Sequence, residues 1–356
     1  MASADGLLNL IRLGVAHHQQ GQLTQAETYY QRVLKVDPSN VDANNLLGVI
    51  RAVEGKSEEA LSYIEIAFNQ VPNSPLILMN YGNVLSELGR HLEALSRFDQ
   101  GLAVDPKSFS LWTNRGNTLN KLKRYDEAVA CHARAIAINP NEADPHYNLG
   151  LSLYNQGQTD RANASFERAI SLRPGFAKAT VARCVSELPV LYADEEEITR
   201  RRSAYGIRLQ ALVDAVDQNP REFLKGIEAI PPFFLPYQGR IDRDLQGLYG
   251  TMVSRALAAY APQIDCIAQH AAAGEQVRVG IVSAFFREHS NWKIPIQGWV
   301  SRLDRKRFRL FGYHTGITQD GQTETARRMF HRFVQGPLTI LAWRDAILSD
   351  QPHVLI

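Results

Sequence analysis

The sequence predicts a mainly α protein: an α-solenoid of tandem 34-residue repeats, then a helical linker and a partial α/β, Rossmann-like lobe. Three observations carry this. Glycine, alanine and proline each recur every 34 residues through the first half of the chain. A stretch of helix-forming character follows, broken by a proline cluster. Beyond residue 276 short apolar runs of strand character alternate with helical ones.

The columns define the repeats. Pro38, Pro72, Pro106, Pro140 and Pro174 form one; Gly14, Gly48, Gly82, Gly116 and Gly150 another; Ala26, Ala60, Ala94, Ala128 and Ala162 a third. Helix–turn–helix content at this period is the signature of the tetratricopeptide (TPR) repeat. It sets five repeats, 7–40, 41–74, 75–108, 109–142 and 143–176. A glycine inside a helix costs about 1 kcal/mol against alanine. Its recurrence therefore predicts close approach by the paired helix, and the alanine column the same from the other side. The prolines stop each second helix. Gly21, Gly55, Gly89 and Gly157 mark the turn between the two helices, with Lys123 there in repeat four. Leu13, Leu47, Tyr81 and Leu149, with Tyr30, Ile64, Phe98 and Phe166, are expected to fill the spaces between helices. Arg115 and His132 interrupt those columns and predict a looser fourth repeat.

One polar column has a functional reading. Asn80, Asn114 and Asn148 recur in the first helices of repeats three to five, joined by Asn83 and Asn117. First helices line the concave face of such an array. An amide both donates and accepts, so a row of them can clamp an extended peptide by its backbone. The alternative is asparagine as helix-start filler. Repeats one and two carry Arg12 and Leu46 in the column, so the row is partial.

After the repeats, 177–192 reads as a capping helix with Cys184 at the glycine position, and 193–275 as a helical linker region. Within it a charged helix is expected over 194–218 and another over 242–260. The carboxylates of 194–197 read as a solvated helix start and Arg200, Arg201 and Arg202 as that helix's exposed face. The run 230–239, with three prolines, reads as non-helical. Residues 276–356 form the partial lobe. Strands are expected at 277–283, 308–313, 338–342 and 353–356, and helices at 296–303, 323–333 and 344–349. The chain stops in its last expected strand, which reads as a fragment cut inside this domain.

Composition excludes several classes. A formal net charge of +2 gives no case for a nucleic-acid or membrane surface. Cys131, Cys184 and Cys266 stand far apart and read as buried thiols rather than metal ligands or disulfides. No signal peptide and no apolar run of membrane-spanning length is present, which predicts a cytoplasmic protein. No metal site is expected.

Repeats of this type, a Pro-Phe-Phe-Leu-Pro-Tyr-Gln-Gly segment, and Val-Arg-Val-Gly-Ile-Val-Ser leading to a histidine resemble the protein O-GlcNAc transferase family in its bacterial form. The resemblance implies a TPR superhelix followed by a GT-B catalytic region, transferring N-acetylglucosamine from UDP-GlcNAc to serine or threonine hydroxyls with inversion and without a bound cofactor. The family's S-x-D-F-x-x-H segment falls on Ser283 to His289, which places the active-site histidine at His289. Phe285 stands in place of the family's aspartate and Lys293 in place of its second histidine. Lys293 is a candidate contact for a phosphate or an acidic group, or a solvated lysine, and Trp292 a candidate for stacking on a sugar or base, whereas Trp299 reads as core. The UDP-binding second lobe lies outside these residues, so this chain alone is expected to be inactive. The other reading is a non-catalytic TPR interaction scaffold. Partners are extended protein segments in the groove, and a homodimer through the convex face is possible for such arrays.

Overall fold

The computed structural model describes residues 4–230, 232, 234–260, 271–336, 338 and 340–356. The chain divides into two compact units, 1–262 and 263–356.

The first unit opens with ten helices in antiparallel pairs: α1 (Ala4–Gln19) with α2 (Leu23–Val36), α3 (Val41–Val53) with α4 (Ser57–Gln70), α5 (Pro75–Glu87) with α6 (His91–Val104), α7 (Phe109–Lys121) with α8 (Tyr125–Ile138), and α9 (Ala143–Asn155) with α10 (Thr159–Leu172). The helix glycines do what their cost demands. A Cβ at Gly14, Gly48, Gly82 or Gly150 would lie 2.4, 2.5, 2.4 or 2.5 Å from Tyr30, Ile64, Phe98 or Phe166 of the paired helix. All five column alanines are fully buried. Turns between paired helices need a left-handed residue: Gly55 has φ 76° and Gly89 φ 76°, and Lys123 adopts φ 59° at the equivalent place.

The proline turns between repeats are tied by the following helix. Asn44 Nδ2 donates to the Pro38 carbonyl at 3.0 Å and Trp112 Nε1 to that of Pro106 at 3.0 Å, while His146 Nε2 lies 3.2 Å from that of Pro140. Leu13 departs from expectation. It is 39% exposed, because no helix of the described residues covers that side of α1. In repeat four His132 fills the Tyr30/Phe98 position and is fully buried.

The stack continues into α11 (Ala177–Val185), α12 (Glu195–Ala215), α13 (Pro220–Ala229) and α14 (Arg243–Tyr260). One core runs from Tyr147 and Phe166 of the fifth repeat through Phe176 and Val181 to Tyr205, Leu212 and Met252. Helix α13 is unmarked in the sequence reading. Leu235–Gln238 makes a 3₁₀ turn within the proline-rich run; Pro231 and Phe233 lie outside the described residues. Asp194 caps α12 by accepting from the Glu197 amide at 2.7 Å. Arg201 is not on an exposed face: it is 7% exposed and bonds Glu197 at 2.6 Å and Asp160 at 3.0 Å. Burial of its long stem obliges the charge to find carboxylates. Arg202 is likewise enclosed, paired to Asp242 at 2.7 Å, and Arg200 alone of the three is largely exposed. Nearby Glu187, itself buried, is bonded by Arg183 and, at 3.2 Å, by Arg208.

The second unit holds a small parallel sheet of order β3-β2-β1-β4, made of β1 (Val277–Ser283), β2 (Phe308–His314), β3 (Arg332–Gln335) and β4 (Val354–Leu355). A π turn (Trp292–Ile296) runs into α15 (Gln297–Arg302), followed by α16 (Gly321–Met329) and α17 (Ile340–Asp350). The strand expected at 338–342 is corrected. Ile340 already begins α17, Thr339 lies outside the described residues, and the third strand is Arg332–Gln335, whose first two residues fall in the helix expected over 323–333. Cys266 also lies outside the described residues, while Cys131 and Cys184 are buried free thiols. Among the described residues no helix is long and apolar enough to cross a membrane.

Candidate functional site

The first candidate site is the asparagine row. From repeat two onward the first helices pack on one another, α3 on α5, α5 on α7 and α7 on α9, to an extent that the second helices do not match among the described residues. A curved stack crowds its inner layer, so the first helices form the concave side. Polar side chains bridge that layer. Asn80 Nδ2 donates to Asn45 Oδ1 at 2.9 Å, Thr118 Oγ1 to Ser86 Oγ at 3.2 Å, and Ser152 Oγ to Asn120 Oδ1 at 3.0 Å. Asn83, Asn114, Asn117 and Asn148 are half-buried on α5, α7 and α9, and their amides have no hydrogen-bond partner among the described residues. The row therefore presents donors and acceptors that water or a ligand backbone must satisfy. The Asn45–Asn80 link was not legible in the sequence, because Asn45 stands one place off the column.

The second candidate site is the loop after β1. Strands β2 and β4 lie on opposite sides of β1, so the sheet reverses direction there, and parallel α/β sheets bind ligands beyond the carboxyl ends of strands at such a point. The loop is built from its own polar groups: the Phe285 amide donates to Ser283 Oγ at 3.1 Å and the Glu288 amide to Asp320 Oδ2 at 2.7 Å. Asp320 also caps α16 through the Gln322 and Thr323 amides. These donors, the Glu288 amide foremost, hold its carboxyl below the usual carboxylate range. His289 is half-buried. Its ring stacks on Phe285 with centroids 4.3 Å apart, and its Nδ1 accepts from the Asn291 amide at 3.1 Å. Nε2 has no partner among the described residues. The Asn291 bond fixes the acceptor nitrogen, so Nε2 carries the ring's proton in the neutral tautomer.

The remaining expected site residues flank the loop. Lys293 is exposed and ion-paired with Glu288. Trp292 is fully buried, donating Nε1 to Gln322 Oε1 at 3.1 Å and packing edge-on against Phe286 at 5.4 Å. Its faces are spent in the core, which corrects the expectation of a stacking platform. Trp299 is 51% exposed rather than core. The π turn rotates the two indoles to opposite sides. His314, which sequence reasoning missed, is fully buried behind the loop, with Nδ1 3.2 Å from the Ser283 carbonyl and Nε2 3.0 Å from that of Thr318. Among the described residues no cluster of His, Cys, Asp and Glu could hold a metal ion.

Models of the tetratricopeptide repeat match residues 11–75, 98–130, 116–157 and 143–176, so the helix pairs are TPR repeats. No curated protein sequence matches the chain. Among solved structures, a mutant O-GlcNAc transferase from Thermobaculum terrenum is similar with TM-score 0.50 and 19% identity over 79% of this chain and 45% of that one. PilW, a type IV pilus biogenesis factor, is similar with TM-score 0.53 and 22% identity over 63% of this chain and 99% of that one. PilF from Pseudomonas aeruginosa follows with TM-score 0.49 and 19% identity over 62% and 95%. At these identities the likeness is one of fold. The chain spans less than half the length of the transferase.

Proposed function

We propose that the TPR array holds an extended segment of a protein substrate along Asn80, Asn83, Asn114, Asn117 and Asn148, as part of an O-GlcNAc transferase-like glycosyltransferase whose catalytic region begins at the small sheet. The observation that carries the catalytic half is His289: a histidine with a free Nε2, at the carboxyl end of the strand where the sheet reverses. The likeness in fold to a transferase over more of the chain than the repeats occupy supports it. In this reading the lobe containing His289 belongs to a Rossmann-like GT-B region. A serine or threonine hydroxyl attacks the anomeric carbon of UDP-GlcNAc, the bond to UDP breaks with inversion, the hydroxyl proton passes to the departing diphosphate, and the Nε2–H assists by donating a hydrogen bond to the acceptor or the donor. The diphosphate is held by residues outside this chain.

A specific observation favours the second reading, a TPR scaffold without catalysis. Phe285 covers one face of His289, and Lys293 is engaged by Glu288 rather than free for phosphate. One experiment separates the two. Transfer from UDP-GlcNAc is assayed in the longest natural form of the protein, with and without His289→Ala. Transfer that survives the substitution unchanged removes His289 from the chemistry, and absence of transfer in the parent leaves the scaffold. Peptide capture is tested separately. Changing Asn80, Asn114 and Asn148 together to alanine is expected to weaken binding of an unstructured serine-rich peptide with no loss of helicity, and unchanged affinity removes the row from the proposal.

A further inference from the structure

The amino end of the small sheet, opposite the His289 loop, carries a cationic groove of about 710 Å³. Arg305, Arg309, Arg328 and His331 line it, over a floor that includes Phe308 and Met329, and no carboxylate is among its lining residues. The cations are held by neutral groups rather than by acids. Arg305 donates to the Val300 carbonyl at 2.8 Å, Arg309 to the His331 ring, and Arg328 is exposed with no partner among the described residues. Other arginines of this unit do pair with acids: Arg332 with Asp350 at 2.5 Å, Arg327 with Glu324 at 3.3 Å and Arg344 with Asp345 at 2.6 Å. Gln276 closes one end of the groove, its Nε2 donating to the Arg305 carbonyl at 2.7 Å.

We propose that this groove is a docking site for an acidic polypeptide segment, rich in aspartate or glutamate, separate from both the TPR groove and the His289 loop. Planar guanidiniums with free N–H pairs match carboxylates two bonds at a time. Three of them around one groove, uncompensated by any acid, make an anion the complementary occupant. Protein rather than nucleic acid fits the rest of the wall. Phe308, half-buried, has the Arg307 guanidinium 5.7 Å from its ring centroid, and Phe330 is buried, so no open aromatic face awaits a base. The chain's net charge of +2 supplies no wider field for a polyanion. A membrane surface would need exposed apolar side chains around the cations, and the lining offers none.

The test uses the intact chain and a fluorescein-labelled octaglutamate peptide, followed by fluorescence anisotropy at about 50 mM salt. Saturable binding is expected, weakened at least about tenfold by Arg309→Gln with Arg328→Gln. It is also expected to be abolished in about 1 M salt, where the screening length is about 3 Å. Both positions are exposed, so the thermal midpoint is expected to stay unchanged. Combined Asn80, Asn114 and Asn148 substitution is expected to leave octaglutamate binding intact. The proposal is overturned if the parent does not bind octaglutamate, if the arginine variant binds as tightly as the parent, or if the asparagine variant loses binding. It is equally overturned if an octathymidylate strand or phosphatidylserine vesicles bind tighter than the peptide and lose that binding in the arginine variant.

Discussion

Replacing His132 by phenylalanine is expected to stabilise the repeat array and to remove an acid-sensitive part of its stability. His132 is fully buried, both ring nitrogens lack a hydrogen-bond partner, and the ring lies where Phe98 and Phe166 sit in other repeats. A Cβ at Gly116 would come 2.5 Å from the ring, the same approach that Gly82 and Gly150 make to their phenylalanines, so the site already has the right shape. Removing two unsatisfied buried polar atoms favours the variant by about 1–3 kcal/mol near pH 7.

The pH dependence follows from burial, which lowers the pKa of His132 from 6.5 to about 4. Above pH 6.5 the ring is neutral in both states and contributes no slope. Between 6.5 and about 4 the unfolded chain binds a proton that the native state refuses, so stability falls as the pH falls. At 1.36 kcal/mol per pH unit the full loss is about 3 kcal/mol, of which about 2 kcal/mol is present by pH 5. Urea denaturation followed by circular dichroism at pH 7 and pH 5 reads this directly. The parent is expected to lose about 2 kcal/mol more than His132→Phe between the two. Equal losses would refute the assignment of this slope to His132.

Two further substitutions test the scaffold. Lys123→Gly relieves a left-handed non-glycine turn and is expected to raise stability by about 1 kcal/mol, whereas Gly89→Lys lowers it by a similar amount. Urea midpoints of equal value in parent and variants would show that the turn bears no strain. Glu187→Gln removes a buried carboxylate shared by Arg183, Arg201 and Arg208, each of which keeps another acid, Glu167 for Arg183 at 2.7 Å among them, and a loss of about 1–3 kcal/mol is expected. A change below about 1 kcal/mol in the same assay would mean that the cluster is solvated.

The repeats were legible because close packing leaves a mark on residue size. Gly82 must be small for Phe98 to fit and Ala94 is fully buried, and that pattern recurs every repeat. What failed to show lacks a periodic cause. Arg201 is charged, so its burial could be seen only with Asp160, 41 positions away, in place. Edge strand β3 reads Arg-Phe-Val-Gln and carries too little alternation to stand out from the helix before it. The run 338–342 reads Leu-Thr-Ile-Leu-Ala, which has strand character by composition, although the chain is helical from Ile340. Position in sequence located the His289 loop at the end of β1. It could not show which of Trp292 and Trp299 faces the core, because that depends on a π turn whose rotation per residue differs from a helix's.

The Asn45–Asn80 bond makes the two ends of the asparagine row unlike. One N–H of the Asn80 amide is already committed to Asn45, whereas Asn114 and Asn148 have both of theirs to offer. A peptide backbone laid along α5, α7 and α9 meets a donor-poor rung first in one orientation and last in the other. If the groove takes a peptide as proposed, it does so vectorially, and a segment and its retro-sequence are not equivalent guests.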